Sequence, residues 1–232
     1  MQPQEFWREM ERRLKPYDLL CHHFYKSWSA GELTREDLKD YACDYYHHVA
    51  AFPDYLAEFQ ARLATGPLRE AVAANRNDEL GVGSLDGRPH HEIWLDFAEG
   101  MGAHPAEVRA HQPVPEVREL IDAFMSIART ASNPEVVAAL WAYEMQVPRV
   151  AREKYVKLRE KYAADDVTCG YFDLHAIADV YHAQTWKRKL EYELRDNPGS
   201  EEAALQSAET AAKALWHALD GIDRKRKQRI AA

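Results

Sequence analysis

A chain of 232 residues, 46% of them hydrophobic, can bury one large core without disulfides or a partner, and its formal charge of -8 would repel a polyanion, so nucleic acid is not expected. Cys21, Cys43 and Cys169 are too few and too scattered for a disulfide framework or a cysteine-rich zinc site. Met1 to Arg13 is charged and lacks the apolar stretch of a secretion signal, and no run is long enough to span a bilayer, so a reducing cytoplasm is expected and a membrane is not.

Apolar residues recur at helical spacing along the whole chain, which predicts an all-α fold in a single domain, 1–232. Helices are predicted at 4–15 and 17–30, the second containing Tyr25. The next, at 34–64, starts at Thr34 with Asp37 in an N-cap pattern, and Tyr41, Tyr45 and His48 share one of its stripes. Pro53 lies inside it and should kink or split it. The helix at 67–80 places Glu79 with Leu68 and Val72, while Glu70 faces the other way. A loop follows at 81–89, where Asp86-Gly87 is hairpin-like in composition but lacks strand-like flanks. Helix 90–101 puts His90 on a stripe with Trp94, Phe97 and Met101.

After a loop at 102–115 come helices at 115–131 and 134–162, the latter announced by Asn133-Pro134. Glu144 shares a face with Val137, Leu140, Ala151, Tyr155 and Leu158; Glu153 points away, and Pro148 should kink or split this helix too. In helix 170–195, His175, Asp179 and His182 fall on one stripe with Tyr171, Ala178 and Trp186, opposite Asp173, Gln184, Arg188 and Glu191. Asn197-Pro198-Gly199 breaks the chain before the last helix, 201–226, whose tail after about 221 carries the dense basic run Arg224 to Arg229 and is charged enough to fray.

Four helices therefore aim ligand-type side chains inward: Glu79, His90, Glu144, and the His175, Asp179, His182 set. Any one of these has an ordinary explanation as a satisfied buried polar group. Together they do not, because three carboxylates in a low-dielectric core need a common counter-charge. Two divalent cations supply it, and helical-bundle cores are where carboxylate-bridged dinuclear sites are built. Imidazole with carboxylate suits iron or manganese with an open position for dioxygen better than a closed structural zinc site. The other histidines, His22, His23, His47, His48, His91, His104, His111 and His217, read as surface or supporting groups, with His48 the best candidate to line the site.

At these residues the sequence resembles the CADD-like para-aminobenzoate synthase branch of the heme-oxygenase-like dimetal oxidases, over nearly the whole chain. The resemblance is carried by Phe24 to Thr34, by Asp44-Tyr45-Tyr46 with Ala51-Phe52-Pro53, by Tyr143 to Lys154, and by His175 through Asp179 to His182. It implies the same six metal ligands. The stretch between Glu79 and His90 is longer than the family pattern and His91 offers a second register; His90 is preferred because His90, Ile93 and Trp94 match the family's His-x-x-Leu-Trp. The resemblance further implies a heme-oxygenase-like bundle, two metal ions (Fe/Fe or Mn/Fe), dioxygen, and an external reductant from an unidentified electron donor. The reaction implied is self-sacrificing: para-aminobenzoate, a folate precursor, is cut from the protein's own Tyr25, with radical transfer through Tyr41, Tyr143 or Tyr171 and with Lys154 as amine donor. A homodimer is compatible with it.

The residues leave alternatives open. A conventional multi-turnover oxygenase on a small amino or fatty acid would share the ligands without needing Tyr25 and Lys154. A non-enzymatic protein that binds death domains would not need six inward ligands. A metal-free relative in thiamin salvage or quinone formation is disfavoured by the ligand set, and Cys43 or Cys169 alone is a weak nucleophile candidate.

Overall fold

The local start and stop signals largely decide the architecture. The computed structural model describes residues 1–83 and 87–231, and among these it shows helices and no strand. In chain order they are α1 (Pro3–Leu14), α2 (His23–Ala30), α3 (Arg35–Arg62), α4 (Pro67–Glu79), α5 (His90–Gly100), α6 (Pro105–Ala110), α7 (Pro115–Thr130), α8 (Asn133–Glu144), α9 (Val147–Tyr162), α10 (Asp166–Asp196) and α11 (Glu201–Ala231). Thr34 caps α3 as expected, accepting from the Asp37 amide while Asp37 accepts from the Thr34 amide.

The two prolines behave differently. Pro53 sits buried within an uninterrupted α3. Pro148 falls in the first turn of α9, where a helix needs no amide donor, so the expected 134–162 helix divides at Met145 and Gln146, directly after Glu144.

Several boundaries move for local reasons. The expected 17–30 helix begins only at His23, because Lys15–Tyr17 and Leu19–Cys21 form 3-10 turns and the His22 ring accepts from the Phe24 amide. The stretch expected as a loop at 102–115 contains α6, started by a reciprocal cap between His104 and Glu107 with Pro105 in the first turn. Ser132, not Asn133, caps α8, in a reciprocal pair with Glu135. Helix α10 starts four residues earlier than expected because the Asp165 side chain accepts from the Thr168 amide. The loop expected at 81–89 is described only in part, and Asp86 lies outside the described residues.

The C-terminal tail is helical to Ala231 rather than frayed. Its basic residues are held by acids on other helices: Lys225 Nζ lies 2.8 Å from the buried Asp44, Arg224 pairs with Glu116, and Arg229 pairs with Asp37. Such pairs bring a charged segment down onto the bundle that its own sequence would leave in water. No helix among the described residues is long and apolar enough to cross a membrane.

Helix α10 is the spine of the functional region, packing on α5, α8 and α9, while α3 lies across α4, α5 and α7. Its buried residues include Tyr171, His175, Asp179, His182 and Trp186, the predicted inward stripe.

Candidate metal centre and the tyrosine compartment beside it

All six predicted ligand residues are buried. Glu79 ends α4, His90 opens α5 and Glu144 ends α8, so three of the six sit at helix termini that converge on the middle of α10. Ligand-type atoms of Glu79, His90 and His175 lie within 4.8 Å of one another, and so do those of Glu79, Asp179 and His182. Glu79 belongs to both triads, the arrangement expected of a carboxylate shared between two cations. Glu144 closes the second triad from α8, its Oε2 3.9 Å from His182 Nδ1.

The orientations of these groups fit metal ligation. His175 donates Nδ1–H to the Tyr171 carbonyl, 2.8 Å away, which leaves Nε2 with a free lone pair. His182 has Asp78 Oδ2 at 3.1 Å from Nε2, so Nδ1 faces Asp179 and Glu144. Buried His90 Nδ1 is 2.9 Å from Glu79 Oε2, a contact that pulls the carboxyl down and the imidazole up, and among the described residues Nδ1 has no hydrogen-bond partner of good geometry. A carboxylate and an imidazole nitrogen brought together at poor hydrogen-bond geometry are what a shared cation would reconcile. Burial drives the Glu144 carboxyl above its ordinary range, against the opposing pull of His182, so the charges here are not balanced by the side chains alone. The donor set of carboxylates and imidazoles, with no thiolate, supports a metal cofactor.

Beside this cluster lies an aromatic compartment built by α2, α3, α9 and the first half of α10. Tyr25 and Tyr41 share a hydrogen bond between hydroxyls 2.8 Å apart. Tyr41 stacks on Tyr45 at 5.4 Å between ring centroids, Trp94 meets both Tyr41 and Tyr171, and Tyr171 stacks on the candidate ligand His175 at 3.9 Å. Tyr143 and Tyr171 line both the small cavity among the ligands and the small cavity beside Tyr25 and Tyr41. Burial raises the phenols of Tyr25, Tyr41, Tyr45, Tyr143 and Tyr171 above the usual tyrosine value, so all five remain protonated.

Lys154 is fully buried, at 0% exposure. Its Nζ sits 4.3 Å from the centroid of the Tyr25 ring, donates to the Tyr25 carbonyl at 3.0 Å and to Ser29 Oγ at 3.3 Å, and pairs with Glu153 at 2.8 Å. Burial lowers the amine to about 8 although Glu153 pulls the other way.

The structure thus brings Glu79, His90, Glu144, His175, Asp179 and His182 into one cluster, and Tyr25, Tyr41 and Lys154 into a second, joined by Tyr143 and Tyr171. His91 is half-buried beside Glu92 and not in the cluster. His48 lies between Tyr45 and Tyr143, with Tyr55 on its Nδ1. Sequence reasoning missed Asp78, Asn75 and Ser29. Asn75 donates to both Glu144 oxygens at 3.1 and 3.3 Å, and Trp186 donates to Glu144 Oε2 at 2.6 Å. Asn75 is four residues before Glu79 on the same helical face, which was the available signal; Asp78 and Ser29 carried none.

Residues 39–216 match the model of a family described as an iron-containing redox enzyme. The chain is 34% identical over 219 residues to a 4-aminobenzoate synthase of Chlamydia trachomatis, covering 94% of this chain and 91% of that protein. It is 31% identical over 227 residues to a 4-aminobenzoate synthase of Nitrosomonas europaea, covering 94% and 90%. Among solved structures it resembles a domain with a heme oxygenase-like fold from Shewanella denitrificans, with a TM-score of 0.80 at 14% identity, covering 98% of this chain and 94% of that one. At that identity the likeness speaks for the fold.

Proposed function

The chain belongs to the family of iron-containing redox enzymes, and from that premise we propose that it is an oxygen-dependent dimetal oxidase that makes para-aminobenzoate from its own Tyr25, with Lys154 supplying the amine. Its relatives named 4-aminobenzoate synthase support the product. The observation that carries the internal substrate is the placement of the fully buried Lys154 amine 4.3 Å from the Tyr25 ring centroid.

Space supports the same reading. The cavity beside Tyr25 offers about 30 Å³, and that among the ligands about 10 Å³, to the centres of water-sized molecules. A single water needs roughly 10–15 Å³ by that measure. Dioxygen or a water fits there; a free substituted benzene ring does not.

Two redox-active ions held by Glu79, His90, Glu144, His175, Asp179 and His182, as Fe/Fe or Mn/Fe, would reduce dioxygen to an oxidant of phenols, with an external electron donor restoring them. The protein's own groups do the rest. Tyr171 and Tyr143 stand between the ligands and the Tyr25–Tyr41 pair, so electrons leave Tyr25 over short aromatic steps. Because these phenols are protonated, each electron lost must take a proton with it, and the Tyr25–Tyr41 hydrogen bond gives that proton a path. The Cα–Cβ bond of Tyr25 would break and Cβ would be oxidised to the carboxyl carbon, with dioxygen as the oxidant; at the far end of the ring a bond to Lys154 Nζ would form as the hydroxyl oxygen leaves as water, and the Nζ–Cε bond of Lys154 would break to free the aromatic amine. Such a chain serves once.

The test is release of labelled para-aminobenzoate from protein grown with ring-labelled tyrosine, then given ferrous iron or manganese, reductant and oxygen. Release should not exceed about one equivalent per chain, since each chain holds one Tyr25. Tyr25→Phe should stop release and keep the metals; Lys154→Arg should stop or sharply reduce it, because a guanidinium cannot lose its proton. Full activity of Tyr25→Phe, with many turnovers on an added substrate, would establish a conventional oxygenase instead.

A further inference from the structure

To act as a nucleophile the Lys154 amine must give up a proton, and its surroundings offer one group able to take it. Its three neighbours are the Tyr25 carbonyl, Ser29 Oγ and Glu153 Oε2, at 3.0, 3.3 and 2.8 Å. A peptide carbonyl cannot keep a proton near neutral pH. Nor can the Ser29 hydroxyl, which itself donates to the Tyr25 carbonyl at 2.8 Å. Glu153 is a carboxylate whose Oε2 lies 2.8 Å from Nζ as an ion pair, and among the described residues no donor, Lys154 included, makes a hydrogen bond of acceptable geometry to that oxygen, so it is open to take a proton. The far side of the amine is closed by rings, with Tyr25 at 4.3 Å and Trp28 at 5.0 Å from centroid to Nζ.

We propose that Glu153 is the proton acceptor that turns the Lys154 ammonium into a nucleophilic amine and passes the proton to solvent. The inference rests on Lys154 being the amine donor. In the step itself an N–H bond of Lys154 breaks, its electron pair stays on nitrogen, and an O–H bond forms at Glu153 Oε2. No oxidant or reductant is consumed. The Glu153 side chain is 24% exposed, so it joins a sealed amine to water without opening the compartment. The helical projection sends Glu153 away from the interior; in the structure it is half-buried, with Oε2 against Lys154 Nζ.

The groups that face the amine are few. From α2 they are Tyr25, Trp28 and Ser29, none charged, and from α9 Glu153, the one charge whose pull on the amine is resolved. Removing that charge therefore has opposite effects on equilibrium and on rate. In Glu153→Gln the ammonium loses its counter-charge, so the amine should titrate lower by about one unit or more. If Glu153 only tuned charge, the variant would be a better donor at low pH. If it accepts the proton, the variant should be slower at every pH, by about 100-fold.

Two measurements decide this. In metal-free protein, reductive methylation with labelled formaldehyde, followed as a function of pH by peptide mass spectrometry, reads the titration of Lys154 directly. In metal-loaded protein, single-turnover release of para-aminobenzoate is compared for wild type, Glu153→Gln and Glu153→Ala, the last also with added formate, which is small enough to replace the missing carboxylate. Support consists of a lowered titration, slower release from Glu153→Gln across pH 6 to 9, and recovery of Glu153→Ala by formate. Unchanged titration of Lys154, or release from Glu153→Gln as fast as wild type below pH 7, overturns the role. A wild-type chain that releases no labelled product while the titration shift is intact would instead overturn Tyr25 as substrate, so the two failures are distinguishable.

Discussion

The metal cluster and the tyrosine compartment share walls and almost nothing else. In the cluster, six ionisable side chains from α4, α5, α8 and α10 are packed with ligand atoms a few ångströms apart, and their burial is unfavourable unless cations join them. In the compartment, one lysine is surrounded by aromatic rings and neutral acceptors, with a single carboxylate at the edge. The first is a concentration of charge that function keeps inside a fold; the second is an apolar core that has admitted one amine. Changes to the first should therefore act on metal binding and stability together, and changes to the second on chemistry alone.

The largest expected effect lies in the cluster. Glu144→Ala with His182→Ala should abolish specific metal binding and product release, measured by elemental analysis and by assay of para-aminobenzoate, with circular dichroism to show that the bundle stands. Lys154→Arg measured alongside should hold its metals, about two ions per chain as in dinuclear bundle sites. Metal loss from Lys154→Arg would erase the distinction between the two regions.

Asp78 tests a finer point, because its carboxylate bonds to one candidate ligand side chain, His182, at 3.1 Å. Asp78→Asn keeps the shape but weakens the bond that orients the imidazole, and outer partners of this kind are worth about 10–100-fold in metal affinity. Unchanged affinity in a competition titration would make Asp78 a bystander.

Stability against pH sharpens the comparison further. In metal-free protein the Glu144 carboxyl and the His182 imidazole are both held above their ordinary ranges, the first by burial, the second by Asp179 and Glu144 acting against burial. At these two groups the folded state binds more protons than the unfolded chain, so their contribution to stability falls as pH rises from 5 to 8, whereas His48 and His175, held low by burial, favour the folded state more as pH rises through the ordinary histidine range. Metal binding needs deprotonated ligands and strengthens over the same range. The gap in Tm between loaded and metal-free protein should therefore widen from pH 5 to pH 8, and a constant gap in thermal melts would count against a shared buried site.

The smallest effect is also the most diagnostic of sign. Glu144→Gln replaces a carboxyl that must stay protonated to be buried without metal by a neutral amide of the same shape, and should leave the metal-free protein as stable or raise its Tm by about 2–4 °C. A large loss of Tm would mean that Glu144 holds the fold rather than the metals.

Legibility in the sequence follows the same division. The cluster was readable because a carboxylate or imidazole on an apolar helical stripe is conspicuous, and His175, Asp179 and His182 repeat the signal three times on one helix. The helical class was readable for the same reason, and Pro148 located the break after Glu144. The compartment was not readable from spacing. Tyr25 looks like any core aromatic and Lys154 like any helix-flank lysine; what unites them is a contact between α2 and α9, separated by more than a hundred residues of chain. Only the family resemblance pointed to the pair before the structure. The tail failed in the other direction: its basic run suggested fraying, because the acids that hold it, Asp37, Asp44 and Glu116, lie on α3 and α7.

The central claim is that the ring of the product is the ring of Tyr25. Peptide mass spectrometry of the chain after loading with metal, reductant and oxygen tests it most directly. The account predicts a loss of side-chain mass at position 25, accompanied at position 154 by loss of the lysine nitrogen, both rising in step with para-aminobenzoate and stopping at about one equivalent per chain. An intact Tyr25 in protein that has released para-aminobenzoate would contradict it.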